Sequence, residues 1–310
     1  MAFKALVPDT PLRAALEPLP DGVTLTAEPD AEVEFLLLTV DLVPRAAELI
    51  AALPGLAVVQ SVFAGVDAVL PLVPAGVIVA SASGVHDNPV SEWVMTVLLA
   101  TRRRLPELLA FQREARWERN INTLTATGAA ALAPIEDLEG ATILILGYGS
   151  IGRALARRLE PFGAHVVGIA SHARADAYGP ESLDGLLPTA DAVVVLASLN
   201  ERTAGIVDAG FLARMKPGAV LVNPARGRHV DTDALLDALR SGHIRAALDV
   251  TDPEPLPDGH PLWSAPNVII TPHIAGGVTA FDRRAHEFAG EQLRRYAAGE
   301  PLKNVAPRGA

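Results

Sequence analysis

Three polar side chains that could carry out chemistry on a small carbonyl compound lie in the second half of the chain, each shortly after an apolar run. They are Arg226, Glu254 and His273. In an open parallel sheet the carboxyl ends of the strands meet at one edge, and ligands bind in the crevice there. We therefore expect the three side chains to face a common crevice.

These residue types suit the reduction of a ketone. The reaction needs a proton donor for the nascent alkoxide and a cation that holds a carboxylate and polarises the carbonyl. His273 suits the first task and Arg226 the second, while Glu254 could orient His273 and keep its imidazolium available near neutral pH. Each residue also has a simpler interpretation, as an exposed histidine, a basic turn or part of a proline-fixed loop. Their shared placement after strand ends is what favours a site.

A glycine-rich turn stands earlier in the chain, between an apolar run at 143–146 and a helical pattern that Gly163 would end. Its six residues form the pattern G-x-G-x-x-G and are Gly147, Tyr148, Gly149, Ser150, Ile151 and Gly152. A continuous apolar run suits a strand that is buried on both faces. Strand, turn and helix in this order is the context in which the pattern indicates dinucleotide binding, although glycine-rich turns by themselves are common.

Each glycine has its own task in such a turn. Gly147 would permit the tight turn, Gly149 would let the backbone approach a pyrophosphate, and Gly152 would let helix and strand pack closely. The amino end of the helix would offer N–H groups and a partial positive charge to phosphates. The sequence therefore predicts that these six residues bind a dinucleotide.

The next strand, predicted at 165–169, bears on which nicotinamide cofactor is bound. NAD sites usually carry Asp or Glu at the end of this strand, where it accepts a hydrogen bond from the ribose 2′-OH. Here the position holds Ala170, and Ser171, His172 and Arg174 follow. A guanidinium and its neighbouring donors could bind a 2′-phosphate, which favours NADP. The alternative is that Arg174 is an ordinary surface arginine and that the protein uses NAD or both cofactors.

Alternating strand and helix patterns must position these residues, and they predict α/β units with parallel sheets. Strands are predicted at 3–7, 35–40, 56–62 and 77–80 in a first unit, and at 143–146, 165–169, 192–196, 219–222, 246–250 and 268–271 in a second. The length of 310 residues also suggests about two domains.

The helical patterns add expectations about the elements around the sheets. A long helix should begin with Asn88 as its N-cap and cross from one unit to the other. The arginines at 102–104 within it should form a solvated face. Asp208 and the cluster that begins at Asp231 should start helices, and a final helix at 279–298 should pack back on the first unit.

The composition excludes several kinds of protein and site. A net charge of −10 argues against nucleic acid as the main partner, because phosphate binding needs a basic surface. The lack of cysteine excludes disulfides, zinc–thiolate sites and a cysteine nucleophile, and the eight histidines show no metal-ligand spacing. The sequence shows no secretory signal and no apolar run that could span a bilayer. We therefore expect a cytoplasmic protein with no membrane and no metal partner.

Several separated motifs in the chain form a recognisable set. Four lie in its second half: Asn223-Pro224-Ala225-Arg226-Gly227, Ala247-Leu248-Asp249-Val250 through Glu254-Pro255-Leu256-Pro257, His260-Pro261-Leu262-Trp263, and Thr271-Pro272-His273-Ile274-Ala275-Gly276. Two shorter ones lie earlier, Ala64-Gly65-Val66-Asp67 and Val90-Ser91-Glu92. With these motifs in this order, the chain resembles the D-isomer-specific 2-hydroxyacid dehydrogenase family over nearly its whole length.

The resemblance implies an enzyme that transfers a hydride between NAD(P)H and a small 2-oxoacid or D-2-hydroxyacid, with glyoxylate or hydroxypyruvate favoured. It implies two Rossmann- or flavodoxin-like domains with doubly wound parallel sheets, a cleft between them, and a homodimer. Residues 1–92 and 283–310 would form the substrate-binding domain, and residues 93–282 would form the dinucleotide-binding domain. Arg226 would bind the substrate, and Glu254 would partner His273 as the acid/base.

Further residues would bind cofactor or substrate by the same resemblance. Asp249 would lie near the nicotinamide carboxamide, and Ala225 would contact the cofactor. The backbone at Ala64 and Gly65 would receive the substrate carboxylate, and the bulky Phe63 could narrow the pocket. Larger phosphoglycerate-type members of the family often carry a regulatory domain after the last helix, and we expect none here.

Two other functions stay open. A redox-sensing regulatory protein of the same fold would bind the nicotinamide cofactor and control a partner, although intact Arg226, Glu254 and His273 argue against a purely non-catalytic role. A dehydrogenase of another small anion would use the same hydride chemistry. Loss of the reduced-nicotinamide absorbance with a panel of 2-oxoacids would distinguish an enzyme from a sensor.

Overall fold

The structure of the protein is a computed structural model that describes residues 2–121 and 134–307. The chain divides into two compact units: Met1–Asp87 with Gly276–Ala310 form the first, and Asn88–Ala275 form the second. The stretch 120–140 is weakly patterned, and we interpret it from the sequence as a connector. Most of it, residues 122–133, lies outside the described residues.

The strands and helices are numbered in chain order. The strands are β1 (Phe3–Leu6), β2 (Val23–Thr26), β3 (Val33–Leu38), β4 (Val58–Ser61), β5 (Ile78–Ala80), β6 (Thr142–Leu146), β7 (His165–Ile169), β8 (Ala192–Val195), β9 (Val220–Asn223), β10 (Arg245–Leu248) and β11 (Val268–Ile270). The helices are α1 (Ala46–Ala51), α2 (Asp87–Arg102), α3 (Leu105–Arg113), α4 (Ser150–Leu159), α5 (Leu183–Leu186), α6 (Ala209–Arg214), α7 (Thr232–Arg240) and α8 (Phe281–Ala297). Among the described residues, no helix combines the length and the apolar character that crossing a bilayer requires.

The first unit holds a five-stranded parallel sheet in the order β2-β1-β3-β4-β5. The strands β3 and β4 are buried along nearly their whole length, as their continuous apolar runs predict. The sequence analysis did not predict β2. This strand alternates apolar residues with threonine and lies partly exposed at the sheet edge, so it lacks the continuous run that identifies its neighbours.

The second unit holds a six-stranded parallel sheet in the order β11-β10-β9-β8-β6-β7. The register aligns Leu248 of β10 with Asn223 of β9 on one side and with Ile270 of β11 on the other. These three strands therefore end at the same level, and the segments that follow them leave from one edge. The prediction of two α/β units with parallel sheets is confirmed.

The expectation of one long helix from Asn88 was wrong. Helix α2 begins at Asp87, so Asn88 lies in its first turn, and it ends at Arg102. The chain then bends at Arg104, which has a left-handed backbone with φ 55°, before α3 begins. The arginines do not form one solvated face either. Arg102 is only 7% exposed because its Nε donates to the backbone carbonyl of Asp137 at 2.6 Å, which holds the guanidinium inside the unit.

The predicted helix starts at Asp208 and Asp231 are confirmed. The carboxylate of Asp208 accepts a hydrogen bond from the backbone N–H of Phe211 at 2.7 Å and caps α6. The carboxylate of Asp231 accepts from two N–H groups at the start of α7, each at 3.0 Å. These three bonds satisfy N–H donors that have no partner within their own helices.

Helix α8 packs on the first unit, as predicted. Its residues Ala285, Ala289 and Leu293, spaced four apart, are buried in the same apolar core as Phe3 and Phe35. This spacing places them on one face of the helix. Helix α8 therefore contributes to the same core as β1 and β3.

Candidate functional site

The glycine turn joins β6 to α4, and Gly147 fits a place that excludes any other residue. Its φ of 92° lies in the region that favours glycine. A Cβ at this position would lie 2.3 Å from the backbone N of Ala197, just past β8. The N–H groups of Gly147 and Tyr148 both donate to the carbonyl of Ile169, at 2.9 and 2.8 Å. The turn is thus wedged between the carboxyl ends of two strands.

Gly149 leaves an open place at the amino end of α4. A Cβ built there would meet no described atom closer than the carbonyl O of Gly147, at 3.9 Å. Within the described part of the chain no side chain caps this end of α4, and its first turn holds no acidic residue. Such a helix end favours an anion. The turn therefore fits the pyrophosphate of a dinucleotide, because a side chain at 149 would fill the place that the phosphates need.

The other motif residues pack the turn onto the sheet. The ring of Tyr148 lies over β7, where a Cβ at Gly168 would come 2.4 Å from its Cγ. A Cβ at Gly152 would lie 3.3 Å from Ile145 Cγ2, so helix and strand approach closely. Ile151 packs against the apolar core that contains Ile145. Gly168 belongs to this arrangement but was missed in the sequence, where a glycine inside a strand signals a close approach without naming the partner.

After β7 the chain turns back in a tight hairpin that places a guanidinium against the glycine turn. Ala170 is 7% exposed and ends the strand with an apolar methyl group. Arg174 and Ala177 exchange both backbone hydrogen bonds, at 2.9 and 3.2 Å. The Arg174 side chain donates from Nη2 to the carbonyl of Tyr148 and from Nε to Asp176 Oδ1, the latter at 2.6 Å. The structure thus brings Arg174 to the motif.

Two other candidates near β7 lie on the surface. Ser171 Oγ and His172 Nδ1 are 3.2 Å apart, and both residues are exposed. Asp176, which the sequence analysis did not single out, also lies 3.6 Å from Nη1 of Arg153 in α4. The hydrogen bond from Arg174 and the two nearby guanidinium charges hold the pKa of Asp176 below its ordinary value.

Arg226 follows β9 in a turn whose backbone is fixed by buried polar side chains. Asn223, fully buried, accepts a hydrogen bond from Ala225 N at 3.1 Å and donates from Nδ2 to the carbonyl of Arg226 at 2.8 Å. Nδ1 of His229, also fully buried, lies 3.0 Å from the same carbonyl. The guanidinium of the half-buried Arg226 donates from Nη1 to the carbonyl of Ala225 at 2.8 Å. The sequence analysis did not identify Asn223 or His229 as supports of this turn.

The Arg226 turn packs directly on the loop after β10. A Cβ at Gly227 would lie 1.9 Å from the carbonyl O of Thr251, so only glycine fits. The Oγ1 of Thr232 donates to the carbonyl of Asp252 at 2.8 Å. The turn after β9 and the loop that carries Glu254 are therefore in contact.

His273 and Glu254 come together at the ends of neighbouring strands. Nδ1 of His273 lies 2.5 Å from Oε1 of Glu254, and the two side chains are 49% and 39% exposed. A carboxylate at Nδ1 fixes the ring and leaves Nε2 as the nitrogen that can exchange a proton with a ligand. The backbone of His273 is left-handed, with φ 54°.

The loop that carries His273 is held by the carboxylate of Asp249. This carboxylate is 2% exposed and accepts three hydrogen bonds: from Thr271 Oγ1 at 2.5 Å, Ile274 N at 2.9 Å and Ala275 N at 2.8 Å. The carbonyl of Asp249 accepts a further bond from His273 N at 2.7 Å. Asp249 therefore determines where the histidine stands.

The remaining candidates lie in the first unit, after β4. The N–H of Phe63 donates to the Oγ of the preceding Ser61 at 3.1 Å, which starts the turn that holds Ala64 and Gly65. The Phe63 ring stacks with Phe281, with 6.3 Å between ring centroids. Ala64 and Gly65 belong to a different unit from Arg226, and their place beside it stays a prediction.

The described groups of the second unit can bind anions and transfer protons. Across residues 2–121 and 134–307, no three His, Asp or Glu side chains come together as metal ligands could. The supported chemistry is acid–base catalysis at one edge of the sheet, beside a turn that suits a dinucleotide.

Comparison with known proteins relates these features to a family. A family model described as "D-isomer specific 2-hydroxyacid dehydrogenase, NAD binding domain" matches residues 95–275. The chain is 36% identical over 286 residues to D-3-phosphoglycerate dehydrogenase of Mycobacterium bovis, which covers 89% of this chain and 51% of the relative. It is 34% identical over 263 residues to glyoxylate reductase of Thermofilum pendens, covering 82% of this chain and 76% of the relative. The chain thus spans about half the length of the phosphoglycerate dehydrogenases that it matches.

A solved structure is similar over both units. It is a D-isomer specific 2-hydroxyacid dehydrogenase from Xanthobacter autotrophicus Py2 in complex with NADPH and MES. The two structures align with a TM-score of 0.80 and 30% sequence identity, over 99% of this chain and 98% of the other.

Proposed function

The chain belongs to the D-isomer specific 2-hydroxyacid dehydrogenase family, and on that premise we propose that it is an NAD(P)-dependent oxidoreductase of small 2-oxoacids and D-2-hydroxyacids. The observation that carries this proposal is the 2.5 Å contact between His273 Nδ1 and Glu254 Oε1, in the unit that also holds the glycine turn. The first unit would bind substrate and the second the dinucleotide.

His273 would be the acid/base of the reaction. When bound, the reduced nicotinamide would supply a hydride to the carbonyl carbon of the oxoacid, and the oxidised nicotinamide would accept a hydride from the hydroxyacid in the reverse direction. His273 would donate a proton from Nε2 to the carbonyl oxygen and take it back in reverse, because Nδ1 is held by Glu254. The Glu254 carboxylate would stabilise the imidazolium form of His273, which is present before His273 donates its proton and after it takes the proton back.

Arg226 would hold the substrate carboxylate and polarise the carbonyl beside it. Its turn is preorganised, because Asn223 and His229 fix the Arg226 carbonyl before any ligand arrives. A planar guanidinium can bind a carboxylate with two parallel hydrogen bonds. The backbone of Ala64 and Gly65 would provide the second contact to that carboxylate.

The cofactor would lie along the glycine turn, with its pyrophosphate at the open place beside Gly149. Ala225 and Asp249 stay predictions as contacts to the cofactor. The two oxygens of Asp249 already accept three hydrogen bonds from the His273 loop, so Asp249 would act mainly by positioning that loop.

We favour NADP as the cofactor. The position that usually carries an acid in NAD sites is Ala170, and Arg174 bonds the carbonyl of Tyr148 within the glycine turn. Ser171 and His172 are exposed next to it and could add donors to a 2′-phosphate. The similar structure from Xanthobacter autotrophicus contains NADPH, which agrees with this choice.

The test is a kinetic comparison of NADPH and NADH with glyoxylate, hydroxypyruvate and bulkier 2-oxoacids. We expect loss of the reduced-nicotinamide absorbance, with the smallest oxoacids favoured and a higher kcat/KM with NADPH. The glyoxylate reductase of Thermofilum pendens supports this choice of substrates. Cofactor binding without turnover of any oxoacid would overturn the enzyme proposal and leave the redox-sensing function instead.

The assembly and location follow from the resemblance and stay predictions. We propose a homodimer in the cytoplasm, with a small 2-oxoacid as its partner. Sedimentation of the full chain with and without NADPH measures the assembly, and a mass of one chain in both states would contradict it.

A further inference from the structure

An acidic side chain stands where the proposed phosphate-binding arginine must act. Oδ1 of Asp176 accepts a hydrogen bond from Nε of Arg174 at 2.6 Å, and Oδ2 lies 3.6 Å from Nη1 of Arg153. The side chains of Asp176, Arg174 and Arg153 are 48%, 41% and 45% exposed. All three are therefore accessible to a ligand that arrives from solvent.

The hairpin after β7 holds Arg174 and Asp176 next to the glycine turn. Arg174 and Ala177 pair through both backbone bonds, so Asp176 lies at the hairpin tip. Tyr178 then forms a separate parallel bridge with the end of β7: its N–H donates to the carbonyl of Gly168 at 2.8 Å, and its carbonyl accepts from Ala170 N at 2.9 Å. The ribose of a dinucleotide bound at this motif lies by the end of the second strand of the unit, which is β7 here.

Resting on the proposed function, we propose that Asp176 sets the choice between the two cofactors. Its carboxylate competes with a 2′-phosphate for the guanidinium of Arg174, and it can accept a hydrogen bond from the 2′-OH that NAD carries instead. Arg174 and Asp176 are thus opposed selectors in one hairpin: the arginine favours NADP and the carboxylate favours NAD. The chain accordingly uses both cofactors, with a preference smaller than Arg174 would give by itself.

The charges around the hairpin set the size of the effect. Two guanidinium groups and one carboxylate leave a single positive charge for a phosphate that carries nearly two negative charges. Contact between two unit charges in water corresponds to a factor of about five in affinity, and the phosphate is close to divalent. Removing the carboxylate charge should therefore strengthen NADPH binding about tenfold at low salt.

The experiment measures binding by the full chain without substrate. Asp176→Asn keeps the size of the side chain and removes its charge. Calorimetry with NADPH, NADH and 2′,5′-ADP should show Kd values about tenfold lower for NADPH and 2′,5′-ADP. The Kd for NADH should stay the same or rise, because the variant loses an acceptor for the 2′-OH.

A matched control removes a similar charge elsewhere in the same unit. Asp184 of α5 is 78% exposed and pairs with Arg214 at 3.4 Å, so Asp184→Asn should leave all three Kd values unchanged. The gain in Asp176→Asn should shrink in high salt, since exposed charges are screened. A role in shaping the hairpin would not respond to salt in this way, and Asp176→Ser provides a second charge-free variant.

The outcomes separate this inference from the proposed function. If the unchanged chain binds neither NADPH nor NADH, the proposed function fails. If it binds a cofactor but Asp176→Asn leaves the ratio of the two Kd values unchanged, only the inference fails. Weaker NADPH binding in Asp176→Asn would also overturn it, because the carboxylate would then be orienting Arg174 for the phosphate.

Discussion

The two sheets share a strand order around their first strand but differ in the turn that leaves it. In the first unit β1 lies between β2 and β3, and in the second β6 lies between β7 and β8. In doubly wound sheets such a reversal of strand order marks the place where ligands bind. The molecule therefore contains two positions of this kind, and their local chemistry can be compared.

The turn after β1 is occupied by the side chain of Arg13, which belongs to the helical segment that follows. Arg13 donates from Nε to the carbonyl of Pro8 at 3.0 Å and from Nη2 to the carbonyl of Val7 at 2.5 Å. The segment that follows is a single 3₁₀ helix, Pro11–Leu16, which begins with a proline that has no N–H to offer. The Arg13 guanidinium already bonds two carbonyls of this turn and the helix start is a proline, so the turn lacks the uncapped N–H groups that α4 presents.

The turn after β6 is the opposite case. Gly149 leaves its place open, and α4 presents an uncapped amino end within the described residues. Strand order therefore provides a position, whereas the residues of the turn decide whether that position can hold a dinucleotide.

Loss of the proposed proton donor in the second unit should have the strongest effect on turnover. His273→Asn should lower kcat by about 10²–10⁴, the range for loss of a general acid, with little change in the Kd for NADPH. His165→Asn is a matched control, because His165 is exposed and lies at the start of β7, away from the strand end. A kcat that stays within a factor of about three would show that His273 is not the acid.

A smaller effect tests the open turn. Gly149→Ala should raise the Kd for both cofactors at least about tenfold, a loss of about 1.4 kcal/mol, because its methyl group would occupy the place of the pyrophosphate. The melting temperature should hold, since the added Cβ meets no described atom within 3.8 Å. Gly185→Ala in α5 also adds a methyl group into open space, so it should leave cofactor binding unchanged and raise the melting temperature slightly, because alanine is the better helix residue. Unchanged cofactor binding in Gly149→Ala would contradict the assignment.

The corresponding change in the first unit should alter stability alone. Arg13→Ala removes both bonds to the backbone carbonyls after β1, at about 1 kcal/mol each. We expect a melting temperature lower by a few degrees and an unchanged Kd for NADPH, measured by scanning calorimetry and titration. A second dinucleotide site in Arg13→Ala would contradict this expectation, because strand order alone would then be enough to form such a site.

The smallest effect concerns alkaline pH and the first unit. Burial, and then the hydrogen bond to Glu34, raise the pKa of Tyr296 to about 12. This contribution to stability is fully present below the unfolded-state pKa of about 10 and is lost as the pH rises towards 12. Tyr296→Phe should flatten the decline in the urea midpoint over that window, whereas Tyr178→Phe, at a 54% exposed tyrosine, should not. An identical decline in both variants would contradict the assignment.

The sequence predicted the buried strands well, because a strand covered on both faces must be apolar along its whole length. It failed at β2, where partial exposure permits threonine, and at Arg104, where a bend divides the helix pattern. The apolar pattern continues across the bend, but the burial does not: α2 buries most of its apolar residues, whereas α3 buries none and leaves Leu105 and Leu109 exposed. Periodicity alone therefore reported neither the break between the helices nor the change in burial.

The candidate residues could be found one by one, but the side chains that hold them could not. Glu254 and His273 were paired from their positions after strands, and the structure places them in contact. The role of Asp249 in holding the histidine loop depends on bonds between residues more than twenty positions apart. Gly168 was missed for the same reason, since its neighbour Tyr148 lies on another element, and so was the contact between Asp176 and Arg153 of α4.

The left-handed backbone of His273 affects which substitutions at this position stabilise the protein. A left-handed residue that is neither glycine nor asparagine is held at a cost of about 1–2 kcal/mol, and here the hydrogen bonds that Ile274 N and Ala275 N donate to Asp249 hold the loop in this shape. Glycine or asparagine at 273 would relax that strain, so the inactive variants should melt at a higher temperature than the active protein. Selection for heat resistance alone would then favour loss of the proton donor, which is a stability–activity trade-off located in a single backbone angle.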